Sequence, residues 1–280
     1  MNLYRLLAVD IDGTLLDSHS RLPSCNRIAL ERAHQAGLRV CLCTGRSLTE
    51  ARPVIDQLGL ELDAGVFVFG AIVSDLRTGR SIGREAMPAS LADRVVAFFQ
   101  ERDYPILALY DVTEAGVDYR VIAGRRHAEA CELWVRKTPC RVCRANGWPS
   151  EHSVVRLGVI ERPEHLQDLL AALKAEFPAD KLKCNAIYAP NYGLHVVECF
   201  APQVNKWHGL TQLLRAWDLS ADQVVAVGDD VNDVEMISQA GLGVAMGNAV
   251  EPVRAVARWQ APSNDAGGVA AAVEVALRGA

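Results

Sequence analysis

An apolar run, Leu6-Leu7-Ala8-Val9, leads directly into Asp10-Ile11-Asp12-Gly13-Thr14. The run has the length and composition of a buried strand, and Asp is a poor strand residue. Two carboxylates one residue apart at the exit of a buried strand lose hydration that a cation or a reaction must replace. In a parallel α/β sheet the carboxyl end of a central strand is where ligands bind. The structural alternative is a capped turn with an Asx hydrogen bond from Asp12.

The first third of the chain alternates apolar strands with amphipathic helices, the rhythm of a parallel sheet. Strands are expected over residues 3–10, 38–43 and 64–69. A helix is expected over 24–36, stopped by Gly37. Ser47-Leu48-Thr49-Glu50 is a capping box that opens another helix, with Pro53 inside it as a possible kink. From Ile72 to Tyr192 the texture changes. Short strand-like runs (106–110, 154–160, 186–189) mix with helical patterns (91–101, 164–176), between turn signals at Arg77-Thr78-Gly79 and Pro190-Asn191-Tyr192-Gly193. This is the pattern of an inserted α+β domain. The α/β rhythm then resumes, with a helix over 206–217, a strand over 224–227, a helix over 231–239 and a strand over 241–245. Asn248-Ala249-Val250-Glu251 reads as the cap of one more helix.

Half of the 280 residues are hydrophobic, enough for a large core in one or two domains. The net charge of −5 argues against a nucleic-acid or anionic-membrane partner. No apolar stretch has the length of a membrane span, and the early first strand leaves no room for a signal peptide, so a cytoplasmic protein is expected. The eight cysteines then read as reduced thiols. Cys140-Arg141-Val142-Cys143 has the spacing of half a zinc site, but no second CxxC or His pair accompanies it.

Three strand ends carry polar groups: Asp10 and Asp12, then Thr44, then Asp229, Asp230, Asn232 and Asp233. If these strands share one parallel sheet, the three ends lie on the same edge. Acidic groups gathered there repel one another unless a hard cation neutralises them, and Mg2+, content with one or two carboxylates, carbonyls and waters, fits. Acids at a helix N-terminus are the alternative for Asp229–Asp233, but four polar residues in five exceed what capping needs.

Taken in order, Asp10-x-Asp12-Gly13-Thr14, Thr44-Gly45-Arg46, Lys206 and Gly228-Asp229-Asp230-x-Asn232-Asp233 resemble the four motifs of the haloacid dehalogenase superfamily phosphatases. The likeness is greatest to the Cof-like, type IIB subfamily, and Ala240-Gly241-Leu242-Gly243-Val244-Ala245-Met246-Gly247-Asn248-Ala249 is similar to the segment that follows its fourth motif. The resemblance implies an α/β fold with a Rossmann-like parallel-sheet core domain, residues 1–80 and 193–280. An inserted α+β cap domain, residues 81–192, would carry substrate specificity and close over the site.

It also implies roles. Asp10 would attack phosphorus and form an aspartyl-phosphate. Asp12 would protonate the leaving alcohol and then deprotonate the hydrolytic water. Asp10, Asp229 and the Asp12 backbone carbonyl would hold Mg2+, with Asp233 behind them or bridged by water. Thr44, Gly45 and Arg46 would bind the phosphoryl group, with Lys206 and Asn232. The implied activity is a Mg2+-dependent phosphatase of small phosphorylated metabolites, sugar phosphates or nucleotide-like cofactors, as a monomer or homodimer. A phosphomutase of the same superfamily and a non-catalytic phosphoaspartate or phosphate-binding protein are the alternatives. Dehalogenases and phosphonatases of the superfamily lack an acid where Asp12 stands. A dinucleotide site is rejected, because Gly241-Leu242-Gly243 has no third glycine at the required spacing.

Two positions depart from the subfamily pattern. Phe69-Gly70-Ala71 stands where Asn-Gly-Ala is usual, so a ring replaces a polar contact and is expected to narrow the substrate range. Trp207 stands where Gly commonly follows the lysine. Arg120, Arg125, Arg126 and His127 are candidate readers of a leaving group, against the default of a solvated face.

Overall fold

In the computed structural model, residues 4–148, 153–189 and 192–278 are described. Leu3 of the expected first strand and the expected Pro190-Asn191 turn lie outside them. In chain order the strands are β1 (Leu6–Val9), β2 (Arg39–Cys43), β3 (Ala64–Phe67), β4 (Ile72–Asp75) and β5 (Arg80–Arg84). Next come β6 (Ile106–Leu109), β7 (Tyr119–Ile122), β8 (Val142–Ala145), β9 (Arg156–Glu161), β10 (Lys183–Ala189) and β11 (Leu194–Phe200). The last are β12 (Val224–Gly228), β13 (Leu242–Ala245) and β14 (Trp259–Gln260).

The chain divides into two compact units, residues 1–83 with 205–280, and residues 84–204. The larger holds a sheet in the order β14-β13-β12-β1-β2-β3-β4-β5. The pairs from β14 to β3 are parallel, and β4 returns antiparallel to β3. β1 is buried on both faces at its centre. The capping box works as read: Ser47 Oγ accepts from the Glu50 N–H at 3.3 Å and Glu50 Oε2 from the Ser47 N–H at 2.9 Å. The helix runs through Pro53 to Leu58 and ends at Gly59, whose φ is +63°. β3 stops two residues before the expected end, because Val68 and Phe69 turn into the left-handed region.

The smaller unit has its own sheet, β10-β11-β9-β6-β7-β8, in which only β7 and β8 pair in parallel. The helix Ala89–Gln100 carries Leu91, Val95, Phe98 and Phe99 on one stripe, spaced as an amphipathic helix demands. It packs with Leu169 and Leu173 of the helix Leu166–Glu176 into a core shared with Ile106, Leu157 and Val197. The expected boundary at 192/193 falls instead at 204/205. The reason is β11, which pairs antiparallel with β10 on one side and β9 on the other and so belongs to this sheet.

Glu161 at the end of β9 is buried. Burial alone would raise its pKa, but hydrogen bonds from Tyr104, the Arg162 N–H and His127, with the charge of Arg126, hold it down at about 2. A carboxyl whose pKa is depressed on folding contributes stability above its unfolded pKa and loses it as pH falls through the folded one. From the ordinary value of 4.5 to about 2, this amounts to about 3 kcal/mol. Thermal scans of the wild type should lose that stability between pH 4.5 and 2, and Glu161→Gln should lack the acid-dependent component. The same network engages two of the candidate substrate readers, and Arg125 pairs with Asp103 at 2.6 Å. Arg120 stacks over the Tyr110 ring. These four residues thus have partners inside the smaller unit, which local sequence does not show.

Candidate active site

Because β2, β1, β12 and β13 are parallel neighbours, their carboxyl ends share one edge of the sheet. Asp10 leaves β1 with its N–H still on the Val227 carbonyl at 3.0 Å. The chain then makes one wide turn over Ile11–Leu15, closed by Leu15 N–H to the Asp10 carbonyl, with Gly13 at φ +75°. A methyl on Gly13 would stand 2.2 Å from Asp229 Oδ2, so both the backbone and the close approach require glycine here.

Carboxylate oxygens of Asp10, Asp229 and Asp233 gather within 4.8 Å of one another. Lys206 enters this group as the first residue of the helix Lys206–Trp217, whose cap is Asn205 Oδ1 accepting from the His208 N–H at 2.7 Å. A cation at a helix N-terminus opposes the helix dipole, and a buried one also loses hydration. Two anions answer both costs: Lys206 Nζ donates to Asp10 Oδ1 and to Asp233 Oδ1, each at 2.6 Å. Burial lowers the Lys206 pKa, yet Asp10 and Asp233 together raise it above the ordinary lysine value.

The three carboxylates differ. Asp233 is fully engaged, its Oδ2 accepting from the Asp229 N–H at 3.0 Å and the Asp230 N–H at 3.1 Å. It thereby pins the loop after β12. Asp229 accepts from Thr14 Oγ1 at 2.7 Å and from Asn248 Nδ2 at 3.3 Å. Burial pushes its carboxyl up, Thr14 pulls it down, and Asp233 adds repulsion, for a pKa of about 6. Asp10 is raised well above the carboxylate range, first by burial, against Lys206 and with Asp233, Asp229 and Asp12.

Asp12 is elsewhere. Its carboxylate is exposed and forms a two-point ion pair with Arg46, at 2.8 Å from Arg46 Nε in one contact. Thr44 is buried, and its Oγ1 accepts from the Arg46 N–H at 3.1 Å, leaving the hydroxyl proton to donate onward. Asn232 Oδ1 is buried with no hydrogen-bond partner. The structure therefore brings together Asp10, Lys206, Asp229 and Asp233, joins Asp12 to the Thr44-Gly45-Arg46 loop, and leaves Asn232 with unspent capacity. Three close carboxylates, with Asp10 and Asp229 pushed up by burial and by their acidic neighbours, are a donor set that fits a hard divalent cation.

Sequence reasoning misread Asn248. No side chain caps the helix Glu251–Val256, whose N-cap is Val250. Asn248 instead donates to the Gly13 carbonyl at 2.8 Å and to Asp229, and its Oδ1 accepts from the Asn264 N–H at 2.9 Å. A polar residue just beyond β13 sits on the same sheet edge as Asp10, Thr44 and Asp229, and that position is the signal that would have found it. Thr14, inside the first motif, holds Asp229 Oδ1 from the other side at 2.7 Å. Since Asn248 orients Asp229 and the Gly13 turn together, Asn248→Ala should lower kcat/KM by about 10–100-fold, the usual effect of removing a group that orients a ligand. Steady-state kinetics on any turned-over phosphate ester checks this.

The model of the haloacid dehalogenase-like hydrolases matches residues 7–273. YwtE of Bacillus subtilis, a 5-amino-6-(5-phospho-D-ribitylamino)uracil phosphatase, is 26% identical over 98% of this chain and 99% of its own. The pyridoxal phosphate phosphatase YbhA of Escherichia coli is 28% identical over 90% of each. A solved structure of the subclass IIB sugar phosphatase BT4131 superposes with a TM-score of 0.73 at 22% identity, over 97% of this chain and 98% of that one. With its motifs on one sheet edge and the match spanning both units, the chain belongs to the haloacid dehalogenase-like hydrolases, as a phosphatase with the fold of their subclass IIB.

Proposed function

We propose that this protein is a Mg2+-dependent phosphatase of small phosphorylated metabolites, sugar phosphates or nucleotide-like cofactors, working through an aspartyl-phosphate on Asp10. The observation that carries this reading is Lys206 Nζ held between Asp10 Oδ1 and Asp233 Oδ1, with the Asp229 carboxylate beside them. Lys206 occupies one Asp10 oxygen, which leaves the other to attack phosphorus along a fixed direction. Asp10, Asp229 and the Asp12 carbonyl would hold the Mg2+, with Asp233 bracing the loop. When bound, the ion neutralises the carboxylates and the phosphate, so that an anion can approach an anion.

As the ester bond breaks, Asp12 gives its proton to the departing alcohol, and the phosphoryl group is left on Asp10. Asp12, again a carboxylate, takes a proton from water, whose oxygen displaces Asp10 and releases phosphate. Arg46 pairs with Asp12 in the substrate-free site, so Asp12 acts as the acid only after it has left that pair and taken up a proton from solvent; Arg46 lies in the loop where Thr44 and the Gly45 N–H would receive the phosphoryl oxygens. Asn232 would contact the phosphate there through its side-chain amide N–H, the donor end of the group. The smaller unit, residues 84–204, would supply the substrate contacts as a cap. Two relatives, YwtE and YbhA, are named for phosphorylated small molecules, which supports that substrate class.

The test is a screen of phosphorylated metabolites and p-nitrophenyl phosphate with and without Mg2+. EDTA should remove turnover and added Mg2+ restore it; hydrolysis that survives EDTA overturns the metal requirement. Transfer of phosphate to a second hydroxyl of the substrate would favour the mutase, and stable phosphorylation without turnover a receiver. Because the Asp229 carboxyl has a pKa of about 6 and must be ionised to ligate, Mg2+ affinity should fall as pH drops from 7.5 to 5. At a Mg2+ concentration about 100-fold over its dissociation constant, binding adds about 2.7 kcal/mol of stability, so the Mg2+-induced rise in Tm should be clear at pH 7.5 and small at pH 5.

A further inference from the structure

Val68 and Phe69 both sit in the left-handed region, with φ of +52° and +56°. A β-branched or bulky residue there is an outlier, and two in sequence persist only where the surroundings over-determine them. Here they do. The Val68 N–H donates to the Arg46 carbonyl at 2.9 Å and the Phe69 N–H to the Thr44 carbonyl at 3.0 Å, so the turn is bonded to the loop between those residues. The far end of the Phe69 ring abuts that loop: a methyl built on Gly45 would stand 2.5 Å from Phe69 Cζ and 2.6 Å from Cε1. On its other side the turn presses on the helix that carries Lys206. A methyl on Gly70 would stand 1.9 Å from the Asn205 carbonyl, and one on Gly209 would stand 2.9 Å from Gly70 Cα. The strained turn thus touches both elements that would receive the phosphoryl group.

We propose that Phe69 is a positioning residue for phosphoryl binding: its ring, locked in a turn wedged between the Thr44–Arg46 loop and the Lys206 helix, holds the Gly45 backbone in place. This rests on the proposed role of Thr44 and Gly45 as phosphoryl ligands. It also accounts for glycine at 45, where the backbone does not need a left-handed conformation but the ring leaves no room for a Cβ.

The test uses Phe69→Ala, Phe69→Asn, Gly45→Ala and the Gly45→Ala/Phe69→Ala double variant of the full chain. Asn accepts the left-handed conformation, so Phe69→Asn removes the ring while keeping the turn even if Phe69→Ala folds poorly. Loss of a contact that serves ground state and transition state alike raises KM without changing kcat. For p-nitrophenyl phosphate with Mg2+, both Phe69 variants should therefore raise KM, and the inhibition constant of inorganic phosphate with it, by about tenfold with kcat within about threefold. Gly45→Ala should cost at least about thirtyfold in kcat/KM, and the double variant should recover to the level of Phe69→Ala alone, a coupling that a merely stabilising ring would not produce. Unchanged KM and phosphate inhibition in both Phe69 variants, or a double variant no better than Gly45→Ala, overturns the proposal. A wild type that turns over no phosphate ester overturns the proposed function instead. Calorimetric binding of inorganic phosphate to the same variants then still decides whether the ring positions the loop, supporting it by a tenfold weakening and overturning it by none.

Discussion

Asp10→Asn should abolish turnover while leaving the fold as stable as before, or more so. The amide keeps the shape of the carboxylate and can still accept from Lys206, so the packing at the end of β1 is retained. What it loses is the anionic oxygen that attacks phosphorus. Removing a nucleophile from a cooperating site costs on the order of 10^4–10^6 in kcat. Stability should move the other way. Burial and the neighbouring Asp233, Asp229 and Asp12 outweigh Lys206 and raise the Asp10 pKa, so the ionised carboxylate costs free energy in the metal-free fold. Neutralising it removes that cost, and Lys206 keeps Asp233 as its counter-ion. Kinetics and thermal unfolding on one protein preparation separate the two effects. A variant that keeps a tenth of the wild-type kcat would show that Asp10 is not the nucleophile.

Lys206→Met should be the most destabilising single change at the site. The side chain is 1% exposed and joins two carboxylates that are themselves buried. Removing one partner of a buried ionic group typically costs about 3–5 kcal/mol, because the charges left behind have neither water nor a counter-ion. For a unit of this size that is about 6–20 °C in the Tm of the metal-free protein. The pH dependence has a definite sign. The folded Lys206 pKa lies above its ordinary value of 10.5, so its contribution is complete at neutral pH and fades only as pH rises beyond that. In the variant, the deficit should shrink on acidification, as Asp229 and Asp10, both already raised by burial and now without the Lys206 charge that lowers them, take up protons and no longer need the cation. Mg2+ should shrink it too, by supplying the missing positive charge, without restoring kcat. A Tm within 2 °C of wild type in EDTA at pH 7.5 would contradict this account of the site.

Much of the larger unit was legible from local pattern. The helix Lys206–Trp217, the capping box at Ser47 and the run of strands that end in Asp10, Thr44 and Asp229 all follow from periodicity, capping and turn chemistry. Those signals are short-range, so a reading that sums them is reliable where the fold agrees with them. They fail where a distant partner decides. Asn248 has the spacing of a helix cap, and Gly13, some 235 positions earlier, claims it instead. Phe69 continues an apolar strand in sequence, and the loop from Thr44 to Arg46 bends it into a left-handed turn. β11 lies beyond the expected domain boundary, and its ladder with β9 and β10 assigns it to the smaller unit.

The order of the motifs and the residue types in them were enough to place acidic and polar groups on one strand edge, because chemistry of that kind admits few substitutes. The sequence also placed Asp12 and Arg46 in the site. Only the folded chain could show that they pair with each other, that Lys206 bridges Asp10 and Asp233, and that burial pushes the Asp229 carboxyl up. Charge, burial and hydrogen bonding depend on which atoms lie within a few ångströms, and that distance is a property of packing rather than of position along the chain.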